Sequence, residues 1–251
     1  MKLTIIGSGT CVPTIERGSP ANYLEIGKAK ILVDCGAGTL RQLLRANISY
    51  KEIDIVFITH FHPDHISDLR ALIQALSWTP GFDRKKDLIL IGPVGFKNFY
   101  ASFIRPVAGK PQPYTYKIKI KEIKKKIVFE NFIVECEKTV HSNTSIAYKF
   151  IENNRSLVVS GDCDYDEKLV NFSNNVDLLM LECSFPDDMK VNGHLIPREC
   201  GLIAQKAKVK KLILTHLYPI SSSSPERIRL NQAKKVFKNT ILAEDFMKIK
   251  I

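Results

Sequence analysis

The stretch Thr59-His60-Phe61-His62-Pro63-Asp64-His65 places three imidazoles and one carboxylate within six consecutive residues, 60–65. The apolar run before it, residues 53–58, is typical of a buried strand. The run after it predicts a helix over 66–78, with a buried face made of Leu69, Leu72, Ile73 and Leu76. The cluster therefore lies at the turn from a strand end into a helix. Because imidazole nitrogens and carboxylate oxygens bind zinc and related divalent ions, the stretch predicts a metal site.

The distribution of the other histidines supports this interpretation. Taken alone, two histidines separated by one residue are more typical of a surface or strand position than of a metal site. The chain has six histidines, however, and the three outside the cluster are His141, His194 and His216. Each of these lies in a polar break beside a strand-like or helix-like run. No histidine is left for a generic surface or core position, which is unlike a random scatter.

Length and composition are those of an ordinary globular chain. The sequence has 251 residues, of which 45% are hydrophobic and 25% charged, and we predict a single domain over 1–251. No apolar run approaches the roughly 20 residues needed to span a bilayer. The first seven residues form a short strand-like run with no signal-peptide pattern. These features predict a cytoplasmic protein that does not associate with membranes.

The cysteines and the net charge restrict the redox state and the partners. The six cysteines are scattered without a C-x-x-C pair, which favours reduced, small apolar side chains over a disulfide framework. Cys35 and Cys163 flank polar motif residues, so a reactive thiol or a thiol beside a metal ion stays an alternative interpretation for these two. The net charge of +11 and the pI of about 9.3 favour polyanions such as RNA or DNA, or small phosphate esters. Lysine enrichment of a whole proteome would give the same charge.

Local patterns predict a chain that is mostly β, with helices in its middle and its last third. Predicted strands cover 2–6, 21–26, 30–33, 53–58, 88–91, 116–123, two segments within 127–140, 145–151, 156–160, 176–181, 211–214 and 241–251. Predicted helices cover 39–46, with Leu40, Leu43 and Leu44 on one face, then 66–78, a segment ending near 104, 197–207 and 225–237. A loop is predicted at 109–112 and a flexible tract at 221–224. The pattern indicates two similar halves packed as a sandwich, in the α/β (α+β) class.

A run of lysines between residues 117 and 126 has two interpretations. It could form a nucleic-acid patch, or it could protect a solvated sheet edge from pairing with another chain. The alternation of lysine with apolar residues over 116–123 is more typical of the second interpretation. The members are Lys117, Lys119, Lys121, Lys124, Lys125 and Lys126.

The polar candidates nearly all follow a strand-like run, so they can meet in one cleft at the edge of the sandwich. They are His60, His62, Asp64, His65, His141, Asp162 and His216. Seven ligands are too many for one tetrahedral ion and suit two ions that share a carboxylate. Such ions, about 3.5 to 4 Å apart, hold a bridging hydroxide and contact both the attacking and the leaving oxygen. The set therefore predicts hydrolysis.

The order of the motifs resembles that of the metallo-β-lactamase superfamily: H-x-H-x-D-H, then a single histidine, then G-D and T-H. The resemblance runs from Gly7 to the end of the sequence. The resemblance implies a four-layer αββα sandwich with two divalent ions, Zn²⁺ in the first place and Mn²⁺ or Fe²⁺ as alternatives. It also implies a ligand assignment. His60, His62 and His141 would hold one ion, Asp64, His65 and His216 the other, and Asp162 would bridge them.

Within that superfamily the flanking motifs resemble those of the ribonuclease Z family, which processes tRNA 3′ ends. Asp34-Cys35-Gly36, Glu182-Cys183-Ser184-Phe185, Gly193-His194-Leu195 and Leu214-Thr215-His216 carry the likeness. It implies that His194 assists at the scissile phosphate and that Asp64 accepts a proton from the attacking water. Glu182 is predicted to be either a partner of His194 or a ligand. Related ribonucleases also suggest a homodimer.

The sequence departs from that family at several positions. Ala37 stands in place of a glutamate, Pro63 in place of a glycine or alanine, and Ile196-Pro197 in place of Thr-Ala. The family's flexible tRNA-binding arm belongs between His141 and Asp162, where only the twenty residues 142–161 lie. They suffice for a hairpin. Recognition of tRNA depends on the arm, whereas hydrolysis of a phosphodiester does not.

These observations predict a two-metal phosphodiesterase acting on an RNA 3′ end, a cyclic nucleotide or another phosphodiester. A hydrolase of a carboxylic ester, thioester or lactone shares the ligand set and stays an alternative. A non-catalytic nucleic-acid-binding module is a third interpretation, against which the complete ligand set argues. The predicted partner is a phosphate ester, with RNA as one candidate.

Overall fold

A computed structural model describes residues 1–107, 115–220 and 225–251. The strands of these residues are β1 (Lys2–Gly7), β2 (Ala21–Ile26), β3 (Ala29–Val33), β4 (Ile55–Phe57), β5 (Leu88–Gly92), β6 (Ile118–Glu122), β7 (Lys126–Val128), β8 (Ile133–Lys138), β9 (Ile146–Glu152), β10 (Arg155–Val159), β11 (Leu178–Glu182), β12 (Lys211–Thr215), β13 (Thr240–Leu242) and β14 (Lys248–Lys250). The α-helices are α1 (Thr39–Arg45), α2 (Pro63–Ile66), α3 (Leu69–Trp78), α4 (Phe96–Phe99), α5 (Glu167–Phe172), α6 (Pro197–Lys206) and α7 (Pro225–Val236). A π-helical turn, Tyr100–Ile104, continues α4.

The strands form two sheets of seven. The first has the order β14-β1-β2-β3-β4-β5-β6 and the second the order β13-β12-β11-β10-β9-β8-β7. Neighbours from β3 to β6 are parallel, as are those from β10 to β13. Strands β8 and β10 are both antiparallel to β9. As a result β8, β10, β11 and β12 point the same way, and their carboxyl ends meet at one edge.

Three apolar clusters define four layers. One cluster joins the facing sides of the two sheets, with Phe57, Tyr148 and Phe150 at its centre. The other two cover the outer faces of the sheets with helices, α1, α3 and α4 on the first and α5, α6 and α7 on the second. Leu72 and Leu76 are among the α3 residues that are buried as predicted. Burial of each such side chain stabilises the fold by about 1.5 to 3 kcal/mol. The predicted α/β sandwich of four layers is confirmed.

Most predicted elements are confirmed, but the last one is wrong. Residues 241–251 were expected to form one strand, and they form two short strands in different sheets, β13 in the second and β14 in the first. The crossing between them is held by Asp245, whose carboxylate accepts hydrogen bonds from the backbone of Ser8 (2.9 Å) and Gly18 (2.8 Å). The side chain of Gln42 donates to the same carboxylate at 2.7 Å. Long-range contacts with the opening loop therefore decide where the strand breaks.

Three further differences concern helices. The face of α1 that packs on the sheet consists of Thr39, Gln42 and Leu43, so Leu44 is 57% exposed instead of buried. Helix α5 was not predicted; it begins after Asp166, whose side chain caps the backbone of Lys168. The predicted helix over 66–78 is interrupted between α2 and α3. The predicted loop at 109–112 and the flexible tract at 221–224 lie outside the described residues.

The regions flanking the site match the sequence interpretation. Strands β9 and β10 form the hairpin expected between His141 and Asp162, with its turn at residues 153 and 154. Strands β6 and β7 stand last in the orders of their sheets. Lys119 and Lys121 thus lie on the edge strand of the first sheet, where Lys119 pairs with Asp87, and Lys126 begins the edge strand of the second sheet. No helix within the described ranges is long and apolar enough to cross a bilayer.

Candidate metal centre

Strand ends bring the predicted ligands together. His60, His62, Asp64 and His65 follow β4 of the first sheet, and the other donors follow strands of the second sheet: His141 after β8, Asp162 after β10 and His216 after β12. Since β8, β10 and β12 point the same way, these donors meet at one edge of the sandwich. The seven side chains form two groups of potential metal donors, with donor atoms in each group within 4.8 Å of one another, and a third such group combines Asp162 and His216 with His194.

The first group consists of His60, His62, His141 and Asp162. The Nε2 atoms of His60 and His141 lie 3.8 and 3.6 Å from Oδ2 of Asp162. The Nδ1 atom of His62 lies 3.1 Å from Nε2 of His141. Tetrahedral ligands at about 2.0 to 2.1 Å from a zinc ion are about 3.3 Å apart. These separations therefore fit one ion.

The second group consists of Asp64, His65 and His216. The Nε2 atoms of His65 and His216 lie 3.6 and 3.4 Å from Oδ2 of Asp64. The same nitrogens lie 3.1 and 3.3 Å from Oδ1 of Asp162. Asp162 thus directs one carboxylate oxygen to each group, as a shared ligand would.

Three buried donor atoms of the site make no hydrogen bond of good geometry among the described residues, although two of them lie close to each other: His60 Nε2, His65 Nε2 and Asp162 Oδ1. Buried polar atoms are rarely left unpaired, and a metal ion would satisfy these. Burial lowers the pKa of His60 far below its ordinary value, so its imidazole is neutral, as a ligand must be. Burial alone would raise the pKa of Asp162, but the imidazoles of His216 and His65 hold it well below its usual range. The donor set fits two divalent ions.

A carboxylate behind the second group orients its histidine. Oδ2 of Asp34 lies 2.7 Å from Nδ1 of His65, which leaves Nε2 for an ion. The backbone and hydroxyl of Thr59 donate to the same carboxylate. Asp34 and His216 both have positive φ, 61° and 56°, an uncommon conformation for side-chain-bearing residues that is frequent at functional sites. Sequence reasoning did not assign Asp34 this role, because its partner is 31 positions away.

A second carboxylate links His194 to the site. Oε1 of Glu182 lies 2.7 Å from Nδ1 of His194, and Oε2 accepts a hydrogen bond from the hydroxyl of Ser184 at 2.9 Å. That hydroxyl also lies 3.1 Å from Nδ1 of His216. Glu182 is therefore a hydrogen-bond partner of His194 and stands outside the clustered donors. Burial alone would lower the pKa of His194, but Glu182 stabilises the imidazolium and raises that pKa above its ordinary value.

Close backbone packing holds the loops at this edge. Gly161, directly before Asp162, has φ of +60°, and a Cβ atom there would lie 2.7 Å from Cβ of Thr59. Only glycine fits at that position without displacing the strand end beside His60. Cys35 and Cys163 are fully buried, and burial raises the pKa of each thiol well above its ordinary value. Neither thiol belongs to the clustered donors.

The fold and this centre define the class: a metal-dependent hydrolase with the metallo-β-lactamase fold. The metallo-β-lactamase-fold protein YhfI from Bacillus subtilis superposes with a TM-score of 0.85, at 25% identity over 99% of this chain and 98% of that one. The short form of human tRNase Z shares the fold, with a TM-score of 0.81 at 24% identity over 100% and 99% of the two chains.

Sequence comparison gives the family. The family model described as anti-Pycsar protein Apyc1 matches residues 1–224, and the chain belongs to this family. Ribonuclease Z from Archaeoglobus fulgidus is 29% identical over 308 aligned positions, which cover 100% of this chain and 97% of that protein. Ribonuclease Z from Bacillus subtilis is 26% identical over 100% and 99% of the two chains. The resemblance found in the motifs is confirmed.

Proposed function

We propose that the protein is a two-metal phosphodiesterase. The observation that carries the proposal is the position of Asp162, which directs one oxygen to a group of three histidines and the other to Asp64, His65 and His216. Two divalent ions at such a site activate water and stabilise the attacking and leaving oxygens of a displacement at phosphorus. In the proposal, His60, His62 and His141 hold one ion, the Asp64 group holds the other, and Asp162 is shared.

The side chains around the ions have separate roles in this proposal. Asp64 accepts the proton of the attacking water, since its carboxylate oxygen lies among the donors of the second group, 3.4 Å from Nε2 of His216. His194 acts on the substrate. Its Nδ1 is held by Glu182 at 2.7 Å, which leaves Nε2 to donate a proton or hydrogen bond to the phosphate. The raised pKa of His194 favours the charged form that can do so.

The proposal also specifies the metal and the class of substrate. The predominance of imidazole favours Zn²⁺, with Mn²⁺ or Fe²⁺ as alternatives. The relatives named ribonuclease Z support a phosphodiester substrate, either an RNA 3′ end or a smaller diester such as a cyclic nucleotide. Their alignments span more positions, 308 and 310, than the 251 residues of this chain. Because a hairpin occupies the place where the ribonuclease Z family has its tRNA-binding arm, we favour diesters whose binding needs no contact far from the cleaved bond.

Other parts of the sequence interpretation stay predictions. They are the single hydrolase domain over 1–251, the homodimer and the cytoplasmic location.

The test is turnover of bis-p-nitrophenyl phosphate by metal-stripped protein to which zinc or manganese is added, beside a His62→Ala variant. Metal-dependent product release that is lost in the variant supports the proposal. A tRNA precursor and a 3′,5′-cyclic nucleotide then separate the two substrate classes. Two tightly bound ions without diester cleavage would contradict it and direct the search to thioesters and lactones. Salt-sensitive RNA binding without turnover would favour a binding module instead.

A further inference from the structure

The loop 186–195, between β11 and α6, carries His194 and is held by one lysine. The ammonium of Lys190 donates to three oxygens: Oδ1 of Asp164 at 2.5 Å, Oε2 of Glu199 at 2.5 Å and the backbone carbonyl of His194 at 2.7 Å. Most surface ion pairs contribute little, because one flexible side chain meets one acceptor in water. Here one ammonium satisfies three acceptors, and the side chain is only 29% exposed.

Asp164 extends this contact to the neighbouring loop. Its Oδ2 accepts a hydrogen bond from the backbone nitrogen of Gly193 at 2.8 Å, and its own backbone nitrogen donates to the carbonyl of Val140 at 2.7 Å. Val140 precedes His141, whose Nδ1 lies 2.9 Å from the carbonyl of Gly193. The His141 and His194 loops are thus joined through Asp164 and Gly193.

The backbone around His194 is fixed from both sides. The Gly193 nitrogen is held by Asp164, the Gly193 carbonyl by His141, and the His194 carbonyl by Lys190. Gly193 has φ of +85°, and a Cβ atom there would lie 3.2 Å from Nδ1 of His141. The loop therefore has little freedom at this point, and the imidazole enters the site from a defined backbone position.

The charges make Lys190 the centre of this arrangement. Asp164 and Glu199 both face its ammonium, and Glu199 also accepts a hydrogen bond from the backbone of Ile196 at 3.2 Å, at the start of α6. Without the lysine, two partly buried carboxylates would face each other and the His194 carbonyl would lose a donor. Like charges in this position repel, so the loop would shift.

We infer that Lys190 is a positioning residue for His194: its ammonium, shared by Asp164, Glu199 and the His194 carbonyl, places the imidazole for the step at the phosphate. The inference rests on the proposed function for its kinetic consequence, but its structural part can be tested without turnover.

The kinetic experiment compares Lys190→Met with Lys206→Met in the metal-loaded protein. Lys206 is a matched control, since its ammonium contacts Glu167 (2.6 Å) and the hydroxyl of Tyr165 (2.8 Å) and none of the loop 186–195. With bis-p-nitrophenyl phosphate we expect K190M to lower kcat about 10- to 100-fold, because small displacements of a reacting group have effects of this size. KM should change less than about twofold and both ions should stay bound, since Lys190 contacts Asp164, Glu199 and the His194 carbonyl and none of the seven candidate ligands. K206M should match the wild type, and K190R should recover most of the lost kcat.

The structural experiment is hydrogen exchange of the segment 187–196. K190M should speed exchange of the Gly193 amide, which is hydrogen-bonded to Asp164, while K206M should not. If K190M does not fold, Lys190→Gln keeps a polar chain of similar length and takes its place in both experiments. Wild-type kcat together with unchanged exchange in the variant overturns the inference, as does a kcat loss explained by loss of metal. If the wild type itself cleaves no diester, the proposed function fails, and the exchange result alone decides whether Lys190 holds the loop.

Discussion

The two sides of the metal centre are built differently. The second group is enclosed: Asp64, His65 and His216 are all buried, and the two imidazoles are held by Asp34 and Ser184. The first group opens to solvent, since the side chain of His62 is exposed and its Nδ1 lies 3.1 Å from Nε2 of the half-buried His141. The enclosed side is suited to hold an ion in fixed geometry, and the open side is suited to admit a substrate. Asp162 belongs to both.

The largest loss of activity is expected when Asp162, the residue shared by the two groups, is replaced. Asp162→Ala should lower turnover by about a thousandfold or more, since both groups lose a ligand. Stabilisation of the transition state by the two metal ions is worth several kcal/mol. Activity on bis-p-nitrophenyl phosphate and metal content by mass spectrometry would measure this. Asp83→Ala, at an exposed carboxylate that pairs with Lys85, should leave both unchanged. Retention of two ions and of activity in the Asp162 variant would contradict a shared ligand.

A smaller effect is expected on the free energy of unfolding, which should depend on a histidine of the enclosed group more than on a histidine of the open group. In metal-free protein, His65→Ala should lower the free energy of unfolding by about 3 kcal/mol, because the buried Asp34 carboxylate loses its imidazole partner and keeps the neutral donors of Thr59. His62→Ala should change it by less than about 0.5 kcal/mol, since the side chain is exposed. Urea unfolding in the presence of a chelator measures both variants. Equal losses would show that the two sides are equally dependent on their histidines.

The smallest expected effect is a difference in thiol reactivity. Cys11 is exposed, with its sulfur 3.1 Å from the hydroxyl of Tyr218, beside the ring of His216. Cys35 and Cys163 adjoin Asp34 and Asp162 in the interior, and burial raises the pKa of Cys136 to about 11. We expect one fast-reacting thiol per native chain with a disulfide reagent and six after denaturation. Cys11→Ser should remove the fast reaction; a second fast thiol would mean that the interior opens.

The sequence predicted which polar side chains cluster at this edge better than it predicted the contacts around them. Ligand types and spacing are local, so the H-x-H-x-D-H stretch and the polar residues after strands could be recognised directly. The supporting residues depend on distant contacts: Asp34 reaches His65, and Lys190 reaches both Asp164 and Glu199. No local pattern records such pairs.

The fold shows the same division between local and distant information. Alternation and helical periodicity predicted most strands and the buried face of α3, because each reflects which side of one element is covered. The residues 241–251 read as one strand, since both β13 and β14 have strand-like sequences. The chain crosses between the sheets because β13 pairs with the edge of β12 in the second sheet and β14 pairs with the edge of β1 in the first.

That crossing has a consequence for folding during synthesis. Strand β1 pairs with β14 through Leu3 and Ile249, so one edge of the first sheet stays open until the ribosome has released residues near 250. The opening loop also cannot reach its final structure earlier, because the backbone nitrogens of Ser8 and Gly18 donate hydrogen bonds to the carboxylate of Asp245. Contacts between segments so far apart in sequence slow folding. A nascent chain stalled shortly before residue 245 would therefore contain all seven candidate ligands on an unfinished sandwich.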